Sequence, residues 1–404
     1  MALIIITILF YIPAFFVYLF SGRRLLYPAT VFSSVYAVVL TLACIANVVF
    51  DYYPISLETY AIYGLGNLVF ISTALCGTHF FRKTSEKNIK YDYRKLKIAF
   101  LVLLLVVVIY APAMYSEFSA ATPNMPLAMK ILRTREKGLV EQVFSTLTNN
   151  IIIISTLSVM LGTYLFSRKV IGFFAFSAIY IMFAYYNFLT GTRSAIILVS
   201  LSCLIIYALS SDKVNKKFLL LTAVITFILG AFIAIFMGKD GMDRNSSLMN
   251  NMSKVIDNYF SYTVQGTILF NNYVVGNEKI HENWDILSGS KELINKVTPT
   301  FHLDEKYSDF SNFSPTHEGN VYTIYFAIFP IYGIAGVIIF FSLYGFLCSF
   351  AYERLHGVGM IIVAYLNAAL CLSIFNEQIF INFIFTIKMI AFVFVCYLLE
   401  KKIK

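Results

Sequence analysis

Apolar residues run along this chain in blocks of roughly 20, each closed off by charges, prolines or glycines. A block of that length, wound as a helix, crosses the hydrocarbon of a bilayer. The blocks predict spans over about 3–20, 28–50, 59–81, 98–115, 146–166, 170–188, 192–210, 218–237, 331–351, 358–376 and 379–399. The expected fold is therefore all-α: a polytopic membrane protein of about eleven transmembrane helices. With no 20–50-residue internal repeat and no low-complexity linker, residues 1–404 are expected to form a single membrane domain. The stretch 320–351 is too long for one ordinary span, and Pro330 divides it. Because proline removes a backbone donor, the division predicts a short apolar helix over 320–329 at the interface and a span from about 331.

Two stretches between spans are long and polar. Residues 116–145 carry Leu127, Ile131, Leu139, Val143 and Leu147 at spacings near four among basic residues, which predicts short interfacial amphipathic helices interrupted at Gly138. Residues 238–319 hold seven basic and eleven acidic residues, with a helix-like stretch around Val255, Ile256, Tyr259 and Phe260. With the interfacial helix included, this large loop reaches residue 330 and precedes the last three spans. Loops of that length usually carry function.

Composition agrees with the pattern: 59% of the residues are apolar and 13% charged, about half the charge of a soluble domain. The net charge of +9 gains its meaning from its location. One set of alternate loops holds Arg23, Arg24, the cluster from Arg82 to Lys97, Arg168, Lys169, Lys213 to Lys217, Arg354 and the tail lysines. These are 18 of the 31 basic residues, against 5 of the 22 acids, so the positive-inside rule makes those loops cytoplasmic. The charge thus reports topology and does not imply nucleic acid. An odd number of spans then places the N-terminus outside and the C-terminus in the cytoplasm. The first apolar run has its basic residues after it, the reverse of a signal peptide, and reads as an uncleaved helix. All six cysteines fall inside predicted spans, so neither a structural disulfide nor a cysteine metal site is expected.

The chain lacks a Walker loop, a dinucleotide glycine fingerprint, an HExxH zinc motif and a GxSxG elbow. Asp240 with Asp243, and His302 with Asp304, are too sparse to define a metal site. The sharpest local feature is Thr190-Gly191-Thr192-Arg193 between two spans, which puts Arg193 at a helix start. A cation there opposes the helix dipole unless an anion is close, and a phosphate would suit both the helix N–H groups and the guanidinium. The bland alternative is an arginine paired with a carboxylate or a headgroup. Arg133, Arg135 and Arg244 are the other outer arginines. The first two suit anionic headgroups as well as a substrate, and Arg244 adjoins Asp243. Among the histidines, His317 stands where the large loop rejoins the membrane, beside Glu318 and Asn320. A loop histidine is usually just solvated, but this position makes it a candidate for proton transfer. Lys388 falls near the middle of the last predicted span, where a charge is a functional candidate unless it snorkels.

These features together resemble the O-antigen polymerase family, the Wzy-type repeat-unit polymerases. The likeness rests on Gly191-Thr192-Arg193-Ser194 leading into an apolar helix and on one dominant outer loop before the last three spans. It rests also on His317-Glu318-Gly319-Asn320-Val321-Tyr322 followed by Tyr332-Gly333-Ile334-Ala335-Gly336, which is similar to a pattern in the O-antigen ligases. The resemblance implies a metal-independent glycosyltransferase without cofactors in a bacterial inner membrane. Its substrate would be undecaprenyl-pyrophosphate-linked oligosaccharide, with a chain-length regulator and a flippase as possible partners. Arg193, helped by Arg133, Arg135 or Arg244, would hold the pyrophosphate, and His317 with Glu318 would orient or deprotonate the acceptor hydroxyl. Outer aromatics such as Tyr259, Tyr262, Trp284 and Tyr307 suit sugar faces. The competing readings are a ligase-like glycan transferase and, from another class, a flippase or transporter of lipid-linked sugars.

Overall fold

A computed structural model describes residues 7–81, 90–121, 144–190, 193–211, 248–276, 285–295, 297–301 and 310–403. In chain order its helices are α1 (Tyr11–Phe20), α2 (Pro28–Val49), α3 (Leu57–Phe81), α4 (Arg94–Ala121), α5 (Thr146–Ser167), α6 (Phe173–Leu189), α7 (Arg193–Ser210), α8 (Leu248–Val274), α9 (Ser288–Asn295), α10 (Phe329–Arg354), α11 (Met360–Cys371) and α12 (Phe383–Leu399). Four short strands, β1 (Lys90–Asp92), β2 (Ser311–Asn312), β3 (Glu318–Gly319) and β4 (Lys401–Ile403), pair as β1 with β4 and β2 with β3. Among the described residues six helices are long and apolar enough to cross a membrane, and four more apolar helices are shorter. The chain is an all-α, multi-pass membrane protein. The expected span over 218–237 and the interfacial helices between 122 and 143 lie outside the described residues.

The chain divides into two compact units. The first comprises Met1–Ser85, Asn258–Leu355 and Ala369–Lys388; the second comprises Glu86–Asp257, His356–Ala368 and Met389–Lys404.

In the first unit, α3 and α10 pack along a seam of small residues. A Cβ on Gly77 would sit 2.9 Å from Ser349 Cβ, one on Gly345 would run into Thr73 and the Phe70 carbonyl, and Ser349 Oγ donates to the Ala74 carbonyl at 2.7 Å. Between lipid-like surfaces there is little hydrophobic drive to pair helices, so close backbone approach supplies the attraction. Beside the seam lies an aromatic core: Phe32 stacks on Phe70 at 4.5 Å, and Tyr36, Tyr63, Tyr325 and Phe341 close around it. Arg24 pairs with Glu353 at 3.2 Å, joining two loops that the charge count had placed on the same side.

In the second unit, α4, α5, α6 and α7 bundle together. Gly162 lets α5 approach Phe100 and Ile179, and Tyr186 Oη donates to the Val107 carbonyl at 2.7 Å. Ser145 caps α5 by accepting Thr148 N–H at 3.2 Å, while the Glu117 carboxylate takes the Ser145 N–H and hydroxyl at 2.9 and 2.8 Å. At the other end β1 pairs with β4, and Glu400 accepts from Tyr164 Oη and from Val358 N–H at 2.9 Å. Here too, two loops assigned to one side by charge are joined.

Three expectations change. The first is the helix over 320–329: the chain there runs irregularly to Thr323 and then through overlapping turns, with Tyr322 to Ile328 buried. Pro330 does not divide a helix but sits in the first turn of α10, where its missing N–H has no partner to lose. The break falls at Gly333 instead, whose φ of 57° and ψ of −152° suit only glycine, and Gly336 gives room for Tyr332 to fold over it. The second is the large loop, which contains the 27-residue α8 and not merely a local helical stretch. The third is that α4 continues through Pro112 to Ala121, past the expected limit of the span at 115.

Candidate functional site

The stretch from Phe310 to Asn320 in the first unit is a small, tightly built hairpin. Strands β2 and β3 pair Ser311 with Gly319 and Asn312 with Glu318. Between them Ser314 Oγ accepts the backbone N–H of Thr316 at 3.2 Å and of His317 at 2.9 Å, a serine turn around Pro315. With both lone pairs taken, the serine hydroxyl has one proton to give, and His317 Nδ1 lies 2.9 Å away. Thr316 Oγ1 is also 2.9 Å from Nδ1. With Ser314 donating, Nδ1 accepts and the ring hydrogen of that tautomer sits on Nε2, which has no hydrogen-bond partner among the described residues.

The hairpin is anchored rather than loose. Tyr53 N–H donates to the Phe313 carbonyl at 3.1 Å, and Asn272 Nδ2 donates to the Asn312 carbonyl at 2.8 Å. The Tyr52 and Phe313 rings flank the imidazole at 5.6 and 5.8 Å, and Tyr52 Oη is bonded to Ser261 Oγ at 2.8 Å. Gly319 has no side chain because Gln265 occupies that space. The result is an imidazole with one nitrogen held from below and the ring exposed. Glu318 beside it is exposed, and Asn320 is half-buried.

Two carboxylates that the sequence did not single out belong to the same unit. Asp285 accepts from Tyr332 Oη at 2.7 Å and Leu287 N–H at 2.9 Å, and it is ion-paired with Lys291. Burial alone would raise its pKa, but the Lys291 ammonium, the Leu287 N–H and the Tyr332 hydroxyl outweigh burial and hold the carboxyl below its ordinary value. Glu377 is fully buried in the non-helical segment between α11 and α12. Its oxygens accept Ile379 N–H at 2.7 Å, Ile381 N–H at 2.6 Å and the Tyr344 hydroxyl. Asp285 was one of eleven acids in a polar loop and carried no signal. Glu377 did have one: it is the only acid between residues 355 and 399.

The remaining sequence candidates are less assembled. Arg193 is the first residue of α7, following the end of α6 at Leu189, and belongs to the second unit. Arg133, Arg135, Arg244, Trp284 and Tyr307 lie outside the described residues, as does the side chain of Tyr259; Tyr262 is half-buried in α8. Lys388 falls in α12, the helix of the last predicted span. It is the sixth residue of the 17-residue α12, about 7.5 Å along the axis from its start. It is exposed between the exposed Ile387 and Ile390, which suits a lysine whose ammonium reaches toward the helix end. Among the described residues no group of three His, Cys, Asp or Glu is placed to hold a metal ion. Compared with known proteins, the chain matches no protein-family model, no curated sequence and no solved structure.

Proposed function

We propose that this protein is a membrane glycosyltransferase that joins oligosaccharide repeat units carried on undecaprenyl pyrophosphate, as its resemblance to the O-antigen polymerases suggests. The observation that carries this reading is the construction of residues 310–336, the stretch that bears most of the resemblance. An ordinary connecting loop would leave His317 solvated and free to turn. Here two hydroxyls fix its Nδ1, two aromatic rings flank it, and its Nε2 side is exposed.

The acceptor hydroxyl would attack the anomeric carbon of the growing chain, the bond from that carbon to the pyrophosphate oxygen would break, and undecaprenyl pyrophosphate would leave as the anion. His317, donating from Nε2, would orient an oxygen of one of the substrates, and the exposed Glu318 carboxylate would take the hydroxyl proton. Arg193 at the start of α7 suits the pyrophosphate charge, because helix-start N–H groups and a guanidinium both favour an anion. Arg133, Arg135 and Arg244 would add positive charge, and Asn320 a polar contact. The working face is the non-cytoplasmic one in a bacterial inner membrane, with the N-terminus outside and the C-terminus in the cytoplasm. A chain-length regulator and a flippase are the partners that the resemblance suggests.

One observation favours a second reading. Broken, buried segments meeting inside a helical unit are a habit of transporters, and residues 322–328 and 372–374 are such segments. The size ladder of surface polysaccharide from a deletion strain, with and without the gene restored, separates the possibilities. Single-repeat glycan on its final acceptor, with the ladder returning on complementation, supports the polymerase. Full-length polymer stranded on its lipid carrier means a ligase, and repeat units trapped on the cytoplasmic leaflet mean a flippase.

A further inference from the structure

In the first unit, two stretches without regular helix cross against one face of α8. Ile324 N–H donates to the Ser373 carbonyl at 2.7 Å, so the chain after β3 meets the chain at the end of α11. Gly266 of α8 faces the crossing. A Cβ built there would lie 2.7 Å from the Ile374 carbonyl oxygen, 3.1 Å from the Val321 carbonyl oxygen and 3.3 Å from the Thr323 N–H nitrogen. Two carbonyl oxygens from distant parts of the chain therefore pack against the same glycine and lie close to one another. Among the described residues no backbone N–H is bonded to either oxygen.

A second observation points to the same place. The Tyr63 hydroxyl faces the hydroxyls of Thr323 and Thr267, the latter adjoining Gly266. All three residues are fully buried, and none of the three oxygens makes a hydrogen bond of proper geometry. A buried hydroxyl left without a partner is destabilising, so three together mark a site that a polar guest would stabilise.

The chemistry of the oxygens selects the guest. Carbonyls and hydroxyls offer lone pairs without formal charge, and Glu377, three residues past Ile374, already accepts from two backbone N–H groups and Tyr344. Divalent ions ordinarily draw on carboxylates, whereas unwound carbonyls and helix ends hold monovalent ones. Ile374 also closes the 3₁₀ turn that ends the helix begun at Gly357, so its carbonyl belongs to the negative end of a helix dipole. We propose that the crossing of residues 321–324 and 373–375 on Gly266 is a site for a monovalent cation such as sodium or potassium. Its ligands are the carbonyls of Val321 and Ile374 and the hydroxyls of Tyr63, Thr267 and Thr323. The ion would neutralise the crossing and fix the segment that leads from His317 to α10. It takes no part in bond making.

The test uses the purified full-length protein in neutral detergent, melted in sodium, potassium, lithium or choline chloride at matched ionic strength. The expected result is a melting temperature that rises saturably with sodium or potassium and not with choline, as for any ligand bound by the folded state alone. Thr267→Val and Thr323→Val should each raise the half-saturating concentration roughly tenfold, the effect of losing one good ligand. Tyr63→Phe, which removes only an oxygen, serves if either valine variant fails to fold. Equal melting of the wild-type protein in all four salts would overturn the proposal and leave the hydroxyls to buried water. So would a cation response that the variants leave untouched.

Discussion

Ser314 Oγ lies 2.9 Å from His317 Nδ1 while accepting the His317 backbone N–H, so one serine fixes both the ring and the peptide of the same residue. With the serine donating to Nδ1, the histidine is held to present Nε2 as a hydrogen-bond donor. If His317 acts this way, His317→Gln, whose amide nitrogen can donate from a similar position, should retain polymer synthesis within about tenfold, while His317→Phe should lose about a hundredfold. Chain-length ladders at matched protein level measure both. Equal loss in the two variants would restore the imidazole to a proton-transfer role.

Glycines of α3 make a comparison within one helix. Gly64 has only Phe10 nearby, at 3.8 Å, whereas Gly77 faces Ser349 Cβ at 2.9 Å across the seam with α10. Gly64→Ala should therefore stabilise the protein by up to about 1 kcal/mol through helix propensity. Gly77→Ala should destabilise it by about 1–3 kcal/mol because packed helices must part. Thermal unfolding in detergent gives the sign of each, and two shifts of the same sign would rule out the seam as described.

Lys291 and Asp285 lend the protein a stability that depends on pH. A carboxyl held below its ordinary value contributes fully above the unfolded value, about 3.9, and loses the contribution as pH falls through its folded value. In Lys291→Met the largest of the lowering influences is gone, so the protein should be less stable than the wild type near neutral pH and should lose less stability as pH falls below about 3.9. Melting temperatures between roughly pH 3 and 6 test this. Lys291 is about one-third exposed, so part of the attraction is screened and the difference should shrink at high salt.

Glu377 should matter through its acceptors. Glu377→Ala leaves the Ile379 and Ile381 N–H groups buried without partners, at a cost of about 1–3 kcal/mol for each. Glu377→Gln retains one carbonyl oxygen and should cost less than alanine. Equal loss in the two variants would mean that the negative charge itself, and not the bonding, is what this position supplies.

The spans were legible because length and apolar character are local properties. The expected limits of 28–50, 59–81 and 146–166 differ from α2, α3 and α5 by a residue or two. That certain loops lie together was legible too, as the Arg24–Glu353 pair and the β1–β4 ladder join loops grouped by charge alone. What escaped notice was polar structure inside the protein. Helix α8 buries Gln265, Thr267, Asn271 and Asn272, which lowers its hydropathy to that of a loop although its neighbours satisfy several of those groups. Residues 322–328 are apolar enough for a helix, yet they are held by contacts with Tyr63, Phe341 and Ser373, all distant in sequence. The His317 hairpin was legible as a place and not as a geometry, since the role of Ser314 depends on where a turn folds its hydroxyl.

The burial of Tyr325 between Tyr63 and Phe341, and of Ile324 against Ser373, also sets a timetable. A ribosome adding about 5–20 residues per second has finished α3 roughly a quarter to one minute before it makes Ser373. For that interval α2 and α3 sit in the bilayer with half of their core missing and with Tyr36 and Tyr63 facing no permanent neighbour. Helices made well before Ser373 are therefore among the last to become native. Truncated chains that end before α11 should be recognised by membrane quality control as unfinished, however well each helix has been inserted.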